Sequence, residues 1–415
     1  MEYIQSNPIS EIAPFEDEAG QVLGRFRSAF ADIIAALPGE ITRPQELTRA
    51  LGIDKKLGWK IANVVQSPDP FEIAQHVPGR SGLQIFLNAA KKKKISQEYI
   101  NAAQDAILEY ERLIDIHAGD RATLEMMLLS HAKQGRERVD SEYRRAAFRS
   151  NSYIWGIQAR TQFRAYFLNP SSNSDLLDLV SVRGFVGLRR IRAGVPWVIH
   201  RAKIVDDDGV QRRSIRTEPL VPPIDDETHG VPLLPEFCTK PLPKMRRVTV
   251  RPGFIDHEII EGQVGNTASA TCVMAESVRE SIPHYREQHN RCMELVTRVN
   301  TPCEHLIFDQ IVRADVFGDA LPTLAVYSEL TGETPQKFLA GGRSRLPVYE
   351  KVAPLGRASA SLHAAEIPRY SDITRFVFDR MGWDARQFNV FRVHMEFPPI
   401  PTAIVVSIEL PEKQG

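Results

Sequence analysis

The sequence contains only four cysteines, and all of them lie in its C-terminal half: Cys238, Cys272, Cys292 and Cys303. So sparse a set does not form a disulfide framework and is typical of a protein in a reducing compartment. No stretch approaches the ~20 apolar residues that span a bilayer. The acidic N-terminus also has no apolar segment of the kind found in a signal peptide. The sequence therefore predicts a cytoplasmic protein without a membrane partner.

The chain also has no excess of charge, since 52 lysines and arginines balance 52 aspartates and glutamates. A nucleic-acid-binding function therefore needs positive charge that is concentrated locally. Motif searches find no phosphate-binding glycine loop, no dinucleotide-binding fingerprint, no nucleophile elbow and no Cys-x-x-Cys pair. The segment "HEIIE" at 257–261 lacks the second histidine of a metalloprotease helix. We therefore expect no cofactor and name no catalytic residue.

Hydrophobic periodicity divides the chain into a helical part and a later part rich in strands. The segments "NVFRVHMEF" and "AIVVSIEL" alternate apolar and polar residues, as strands do. We expect an α+β fold, in which an all-helical helix-turn-helix region precedes a mixed, mainly antiparallel β-sheet domain with a few helices. The expected divisions are an N-terminal tail (1–17), a helix-turn-helix domain (18–76), a helical region (77–170), a β-hairpin and proline-rich connector (171–245) and a C-terminal α+β domain (246–415). Asp208-Gly209 is the expected turn of that hairpin.

Residues 44–66 have the features of two short helices joined by a tight turn. Pro44 suits the start of a helix, and Gly52 can adopt the left-handed conformation that a tight turn needs. Asp54 is a natural N-cap for the second helix. Gly58 lies within that helix, where it would allow close packing against a neighbouring helix. Together these features predict a helix, a corner and a second helix.

This stretch, with a supporting helix at 18–37, resembles the helix-turn-helix of DNA-binding transcription regulators over residues 20–68. The resemblance implies that the second helix contacts duplex DNA. The residues placed to do so are Arg43, Arg49, Lys55, Lys56, Trp59, Lys60 and Asn63. Asn63 would pair with adenine, and the lysines with phosphate or guanine. The alternative is a helical hairpin whose lysines are merely solvated.

Two further regions, 131–167 and 183–216, are rich in arginine, and the first also interleaves it with aromatic residues. Such a combination suits phosphate contact and base stacking. The candidates for a secondary nucleic-acid contact are Arg144, Arg145, Arg149, Arg160 and Arg164. An equally physical alternative buries the aromatic residues and leaves the arginines in solvent.

Histidines and cysteines are concentrated between residues 284 and 305. The patterns at 293–300 and 304–312 predict neighbouring strands that place Cys303 and His305 on one face. These two residues are the candidates for metal ligands, although the spacings match no structural zinc pattern. A buried cysteine beside a surface histidine explains them equally well, so no metal site is expected.

Together these patterns predict a DNA-binding transcriptional regulator whose C-terminal domain senses a small molecule, dimerises or binds a protein effector. The apolar run "LEMMLLS" at 124–130 must be buried, which predicts a homodimer formed through residues 96–168 or the C-terminal sheet. Two alternatives stay open: an enzyme with its site in the C-terminal domain, and a non-catalytic scaffold. A polar pocket in the C-terminal half would favour the enzyme, and an outward-facing helix at 54–66 would favour DNA binding.

Overall fold

The computed structural model describes residues 14–131, 136–203, 217–222, 230–251, 254–260, 262–287, 291–330, 344–358 and 362–413. Its contacts divide the chain into two compact units, an N-terminal unit (Met1–Asp140) and a C-terminal unit (Ser141–Gly415). Helices form the first unit and a mainly antiparallel set of sheets forms the second. The α+β fold class expected from the sequence is confirmed.

The helices of the N-terminal unit pack around a core of aromatic side chains. Phe26 and Phe30 are fully buried and stack at 4.4 Å between ring centroids, and Phe86 stacks on Phe30 at 5.1 Å. None of the helices that the structure describes is long and apolar enough to cross a membrane. The helices are α1 (Phe15–Ala35), α2 (Pro44–Leu51), α3 (Lys55–Gln66), α4 (Pro70–Ile73), α5 (Arg80–Lys92), α6 (Gln97–His117), α7 (Arg121–His131) and α8 (Arg136–Trp155), which crosses the boundary between the units.

The C-terminal unit contains three sheets, the later part of α8 and one further α-helix, α9 (Tyr370–Met381), among its described residues. Its strands are β1 (Ile157–Pro170), β2 (Leu176–Arg190), β3 (Trp197–Lys203), β4 (Thr217–Pro219), β5 (Met245–Arg251), β6 (Phe254–Ile259), β7 (Ala270–Pro283), β8 (Cys292–Val299), β9 (Cys303–Arg313), β10 (Thr323–Ser328), β11 (Arg345–Leu346), β12 (Ala353–Arg357), β13 (Phe388–Glu396) and β14 (Thr402–Glu409).

The largest sheet has seven strands in the order β12-β13-β9-β1-β2-β7-β4. Its described pairs are antiparallel except for β1 and β9, which run parallel. Helix α9 packs on one face of this sheet, where Phe163 contacts Tyr370 and Phe167 contacts Phe378. A four-stranded sheet, β11-β10-β14-β8, covers part of the other face, and β3-β6-β5 form a third sheet. The core therefore lies on both sides of the central strands.

The helical region expected at 77–170 ends earlier than the sequence predicts. Helix α8 stops at Trp155, and residues 157–170 form the central strand β1. Both faces of β1 are covered, so its buried positions run almost continuously rather than alternating. A strand of this kind resembles a buried helix in its hydrophobic pattern, which explains the wrong prediction.

The β-hairpin expected within 171–245 does not form between the strands that the structure describes there. Strand β3 pairs with β6, whereas β4 pairs with β7 in a different sheet. The expected turn at Asp208-Gly209 lies outside the described residues. A turn sequence predicts that the chain reverses direction. Packing of the whole unit determines which strands become neighbours in a sheet.

Candidate nucleic-acid interface, polar cavity and histidine cluster

Helices α2 and α3 are joined by a tight turn at Gly52. This residue has φ 67° and ψ 37°, in the left-handed region that favours glycine, and its N–H donates to the carbonyl of Thr48. Asp54 then caps α3, because its Oδ1 accepts a hydrogen bond from the backbone N–H of Lys56 at 2.8 Å. The turn and the N-cap predicted from the sequence are confirmed.

Gly58 lies where α3 packs against α2. A Cβ at this position would lie 2.2 Å from Thr48 Oγ1, well inside van der Waals contact. The glycine therefore permits the close packing expected from the sequence. Ile61 and Val64 are fully buried on the same helix and fix it against the core. The opposite side of α3 is consequently turned to solvent.

The seven residues expected to contact DNA differ in their exposure. Trp59 is 49% exposed and lies edge-on to His76, with 5.3 Å between ring centroids. Asn63 is half-buried, and its Nδ2 donates to the backbone carbonyl of Trp59 at 2.7 Å. Lys60 is half-buried too, near His76, whose pKa is lowered by burial and by the charge of Lys60. The exposed members are Arg43, Arg49, Lys55, Lys56 and Trp59.

The acidic residues within α2–α3 are held by the helix N-termini. Glu46 Oε2 accepts the backbone N–H groups of Arg43 and Thr42, both at 2.9 Å, and these bonds lower the pKa of Glu46. Asp54 is the N-cap of α3. Both carboxylates therefore offset part of the positive charge at a helix N-terminus. The remaining exposed charge of this surface is mainly positive.

The five arginines considered as secondary nucleic-acid contacts lie on two elements. Arg144 forms an ion pair with Glu350, and only 10% of its side chain is exposed. Arg164 is half-buried, with its guanidinium 4.6 Å from the centroid of the Tyr166 ring. The structure therefore does not expose all five, because Arg144 and Arg164 are partly buried. The exposed members are Arg145 and Arg149 on α8 and Arg160 on β1.

The strands expected to place Cys303 and His305 together are not neighbours, since β8 and β9 belong to different sheets. Cys303 lies opposite Ala159 in the register of β9 with β1, and it is buried. Burial raises the pKa of its thiol to about 12, and Cys303 is not part of the group of ligand atoms that surrounds His305 among the described residues. The structure therefore gives no support to Cys303 as a ligand.

His305 lies instead beside His394 of β13 and Glu366 of the segment that precedes α9. His305 Nδ1 and His394 Nε2 are 3.3 Å apart, and His394 Nε2 and Glu366 Oε1 are 3.8 Å apart. One ligand atom from each residue lies within 4.8 Å of the other two. The alternation of β13 put His394 on its polar face, but nothing in the sequence indicated that these three segments meet.

Sequence reasoning also missed a cavity of about 410 Å³ in the C-terminal unit, where strands of the seven-stranded and three-stranded sheets meet. Arg183 Nη2 donates to Glu276 Oε2 at 2.7 Å. His200 Nδ1 is 3.0 Å from His257 Nδ1, and His200 Nε2 is 3.8 Å from Glu276 Oε1. Four charged or polar side chains from four strands thus converge on one cavity.

Burial controls the charges of this cavity. It lowers the pKa of His200 to about 4, so this ring is neutral near neutral pH. Burial by itself would raise the pKa of Glu276, but His200 and the charge of Arg183 lower it to about 2. The pKa of Arg183 is lowered by burial to about 10, which still leaves it protonated. The cavity therefore contains an ionised Arg–Glu pair beside a neutral imidazole, an arrangement that suits binding of a polar molecule.

No protein-family model matches the sequence, and no curated protein matches it. Among solved structures, a "putative protease" from Parabacteroides distasonis aligns with 61% of this chain and 40% of its own, at 9% identity and a TM-score of 0.23. The aligned part spans less than half of that protein. A similarity at this level carries no argument about fold or function.

Proposed function

We propose that the N-terminal unit binds duplex DNA through α3 and that the chain acts as a transcriptional regulator. The observation that carries this proposal is the outward face of α3, which presents Lys55, Lys56 and Trp59 to solvent. The buried face of the same helix fixes it against the core. A helix with one exposed face, whose first turns carry basic and aromatic side chains, suits the major groove, where base edges are contacted by the N-terminal part of a recognition helix.

Charge around α3 supports the same surface. Arg43, the N-cap residue of α2, and Arg49 on α2 are exposed and add two positive charges for phosphate contact. Asn63, by contrast, has its amide engaged with the carbonyl of Trp59, so the adenine contact expected from the sequence would require that hydrogen bond to break. The proposal therefore rests on the basic side chains and Trp59.

We expect the full chain to bind duplex DNA with an affinity that falls steeply as salt rises. Phosphate contacts release counterions, and four contacts from Arg43, Arg49, Lys55 and Lys56 would give a slope of log K against log salt of about −3 to −4. Fluorescence anisotropy with random duplex DNA and with DNA upstream of the chain's own gene measures this slope. Absence of binding to both duplexes at low salt would overturn the proposal.

The cavity, which is open to solvent, supports a second role, binding of a small anionic molecule by the C-terminal unit. Arg247, on the strand next to His257, lines the cavity, is exposed and forms no ion pair with any residue that the structure describes. Because Arg183 is already paired with Glu276, Arg247 is the side chain that supplies positive charge for a ligand. Such a site fits the sensing domain of a regulator, and it also fits the alternative of an enzyme.

We expect citrate or inorganic phosphate to raise the melting temperature of the full chain, because only the folded cavity binds the anion. Arg247→Ala should reduce this increase, whereas Arg246→Ala should retain it, because Arg246 is already paired with Glu258 at 2.6 Å. A melting temperature that neither anion changes would argue against an anionic ligand. If a stabilising anion also alters DNA affinity, the effector role is favoured over the enzyme.

A further inference from the structure

We propose that His305, His394 and Glu366 bind a divalent transition-metal ion, with coordination positions left open to solvent. This site is independent of the DNA-binding surface and of the cavity. It is assembled from two adjacent strands and the segment before α9, all within the C-terminal unit.

The spacing of the ligand atoms suits one ion. Nitrogen and oxygen ligands lie about 2.0–2.2 Å from zinc, so neighbouring ligands of a tetrahedral ion are about 3.3–3.6 Å apart. The separation of 3.3 Å between His305 Nδ1 and His394 Nε2 falls in this range. Glu366 Oε1 lies 3.8 Å from His394 Nε2, slightly beyond this range, and all three ligand atoms lie within 4.8 Å of one another.

A hydrogen bond between the two histidines is a weaker explanation of their approach. The separation of 3.3 Å is long for a hydrogen bond between two ring nitrogens, and such a bond forms only if one of these two nitrogens carries the proton of its ring. Two neutral rings that face each other through unprotonated nitrogens repel, and a cation between them satisfies both lone pairs. The nearby carboxylate of Glu366 adds the negative charge that favours a cation.

The surrounding structure holds the three residues in place. His305 and His394 are on one face of adjacent antiparallel strands, where His394 pairs with Ile307 and Glu396 pairs with His305. The hydroxyl of Thr161, which is fully buried on β1, donates to the backbone carbonyl of Glu366 at 3.0 Å. Each ligand is therefore positioned by the sheet or by a bond to it, as a preorganised site requires.

The ligand types favour a transition metal over calcium or magnesium. Imidazole suits zinc, iron, nickel and copper, whereas Ca²⁺ and Mg²⁺ prefer oxygen ligands alone. Three protein ligands leave at least one position for water, as in catalytic rather than structural zinc sites. The side chain of His394 is 40% exposed, so solvent reaches the site from outside.

Titration of the untagged full chain with Zn²⁺, after chelator treatment and dialysis, tests the proposal. We expect one Zn²⁺ per chain in calorimetry, no comparable binding of Ca²⁺, and visible absorption bands from imidazole coordination when Co²⁺ is added. His394→Ala should weaken Zn²⁺ binding about 100-fold or more, since it removes one of three ligands. His305→Ala should do the same.

The matched control is His363→Ala, because His363 is exposed close to Glu366 in sequence but is not part of the cluster. This variant should bind Zn²⁺ as the unmodified chain does. Thermal unfolding monitored by circular dichroism separates loss of a ligand from loss of fold, and His394→Ala should melt normally because the side chain is exposed. Zn²⁺ binding that is absent, or that His363→Ala weakens as much as His394→Ala, would overturn the proposal.

Discussion

Replacing Asp309 by alanine should lower the free energy of unfolding of the C-terminal unit by about 3–5 kcal/mol. Asp309 is fully buried in β9. Its carboxylate accepts hydrogen bonds from Arg392 Nε at 2.8 Å and Nη2 at 2.7 Å, and from the Tyr370 hydroxyl at 2.6 Å. The substitution would leave the guanidinium of Arg392 largely buried without its counter-charge, which is the costly way to break a buried pair. Urea unfolding followed by circular dichroism measures the change.

Asp315→Ala provides the matched control for this prediction. Asp315 also pairs with an arginine, Arg313, at the end of the same strand, but 64% of its side chain is exposed. An exposed pair contributes little because water and salt screen it, so we expect a change of no more than about 1 kcal/mol. Equal destabilisation by the two substitutions would show that the buried network does not anchor β9, β13 and α9.

The sequence predicted local structure best where one or two residues determine it. Gly52, Asp54 and Gly58 each have a specific backbone or steric requirement, and the structure places each of them as expected. The alternation of apolar and polar residues also predicted the polar face of β13, which includes Arg392 and His394. In these cases the structure depends on interactions between residues close together in the chain, so a single sequence is enough to predict it.

The parts that the sequence did not predict depend on contacts between distant segments. Strand β1 was assigned to a helical region because both its faces are buried. The cavity and the histidine cluster bring together residues that are far apart in the chain, such as His200 with His257 and His305 with His394. Pairing of β strands determines these contacts, and no local sequence pattern specifies this pairing.

The homodimer and the cytoplasmic location stay predictions. Light scattering distinguishes a monomer of 46.8 kDa from a dimer of twice that mass.

Changing both Lys55 and Lys56 to glutamate should weaken DNA binding on the order of 100-fold at low salt and reduce the salt slope by about two. Both side chains are exposed in the first turn of α3, so each would approach phosphate if this helix enters the groove. Stability should change little, because surface substitutions usually stay within about 0.5 kcal/mol and glutamate is favourable near a helix N-terminus. Lys60 is left intact because it is half-buried. Anisotropy titrations and thermal unfolding measure the two effects.

The control with the same change of charge is Lys91→Glu with Lys92→Glu, in the last turn of α5. These lysines are exposed in the same unit but lie outside the proposed interface. If α3 is the recognition helix, the control should lose far less affinity than the α3 variant, since it changes only the overall charge. Equal losses would indicate that binding follows net charge rather than a defined helix. An α3 variant that binds normally would show that its lysines are simply solvated, as the alternative interpretation of the sequence holds.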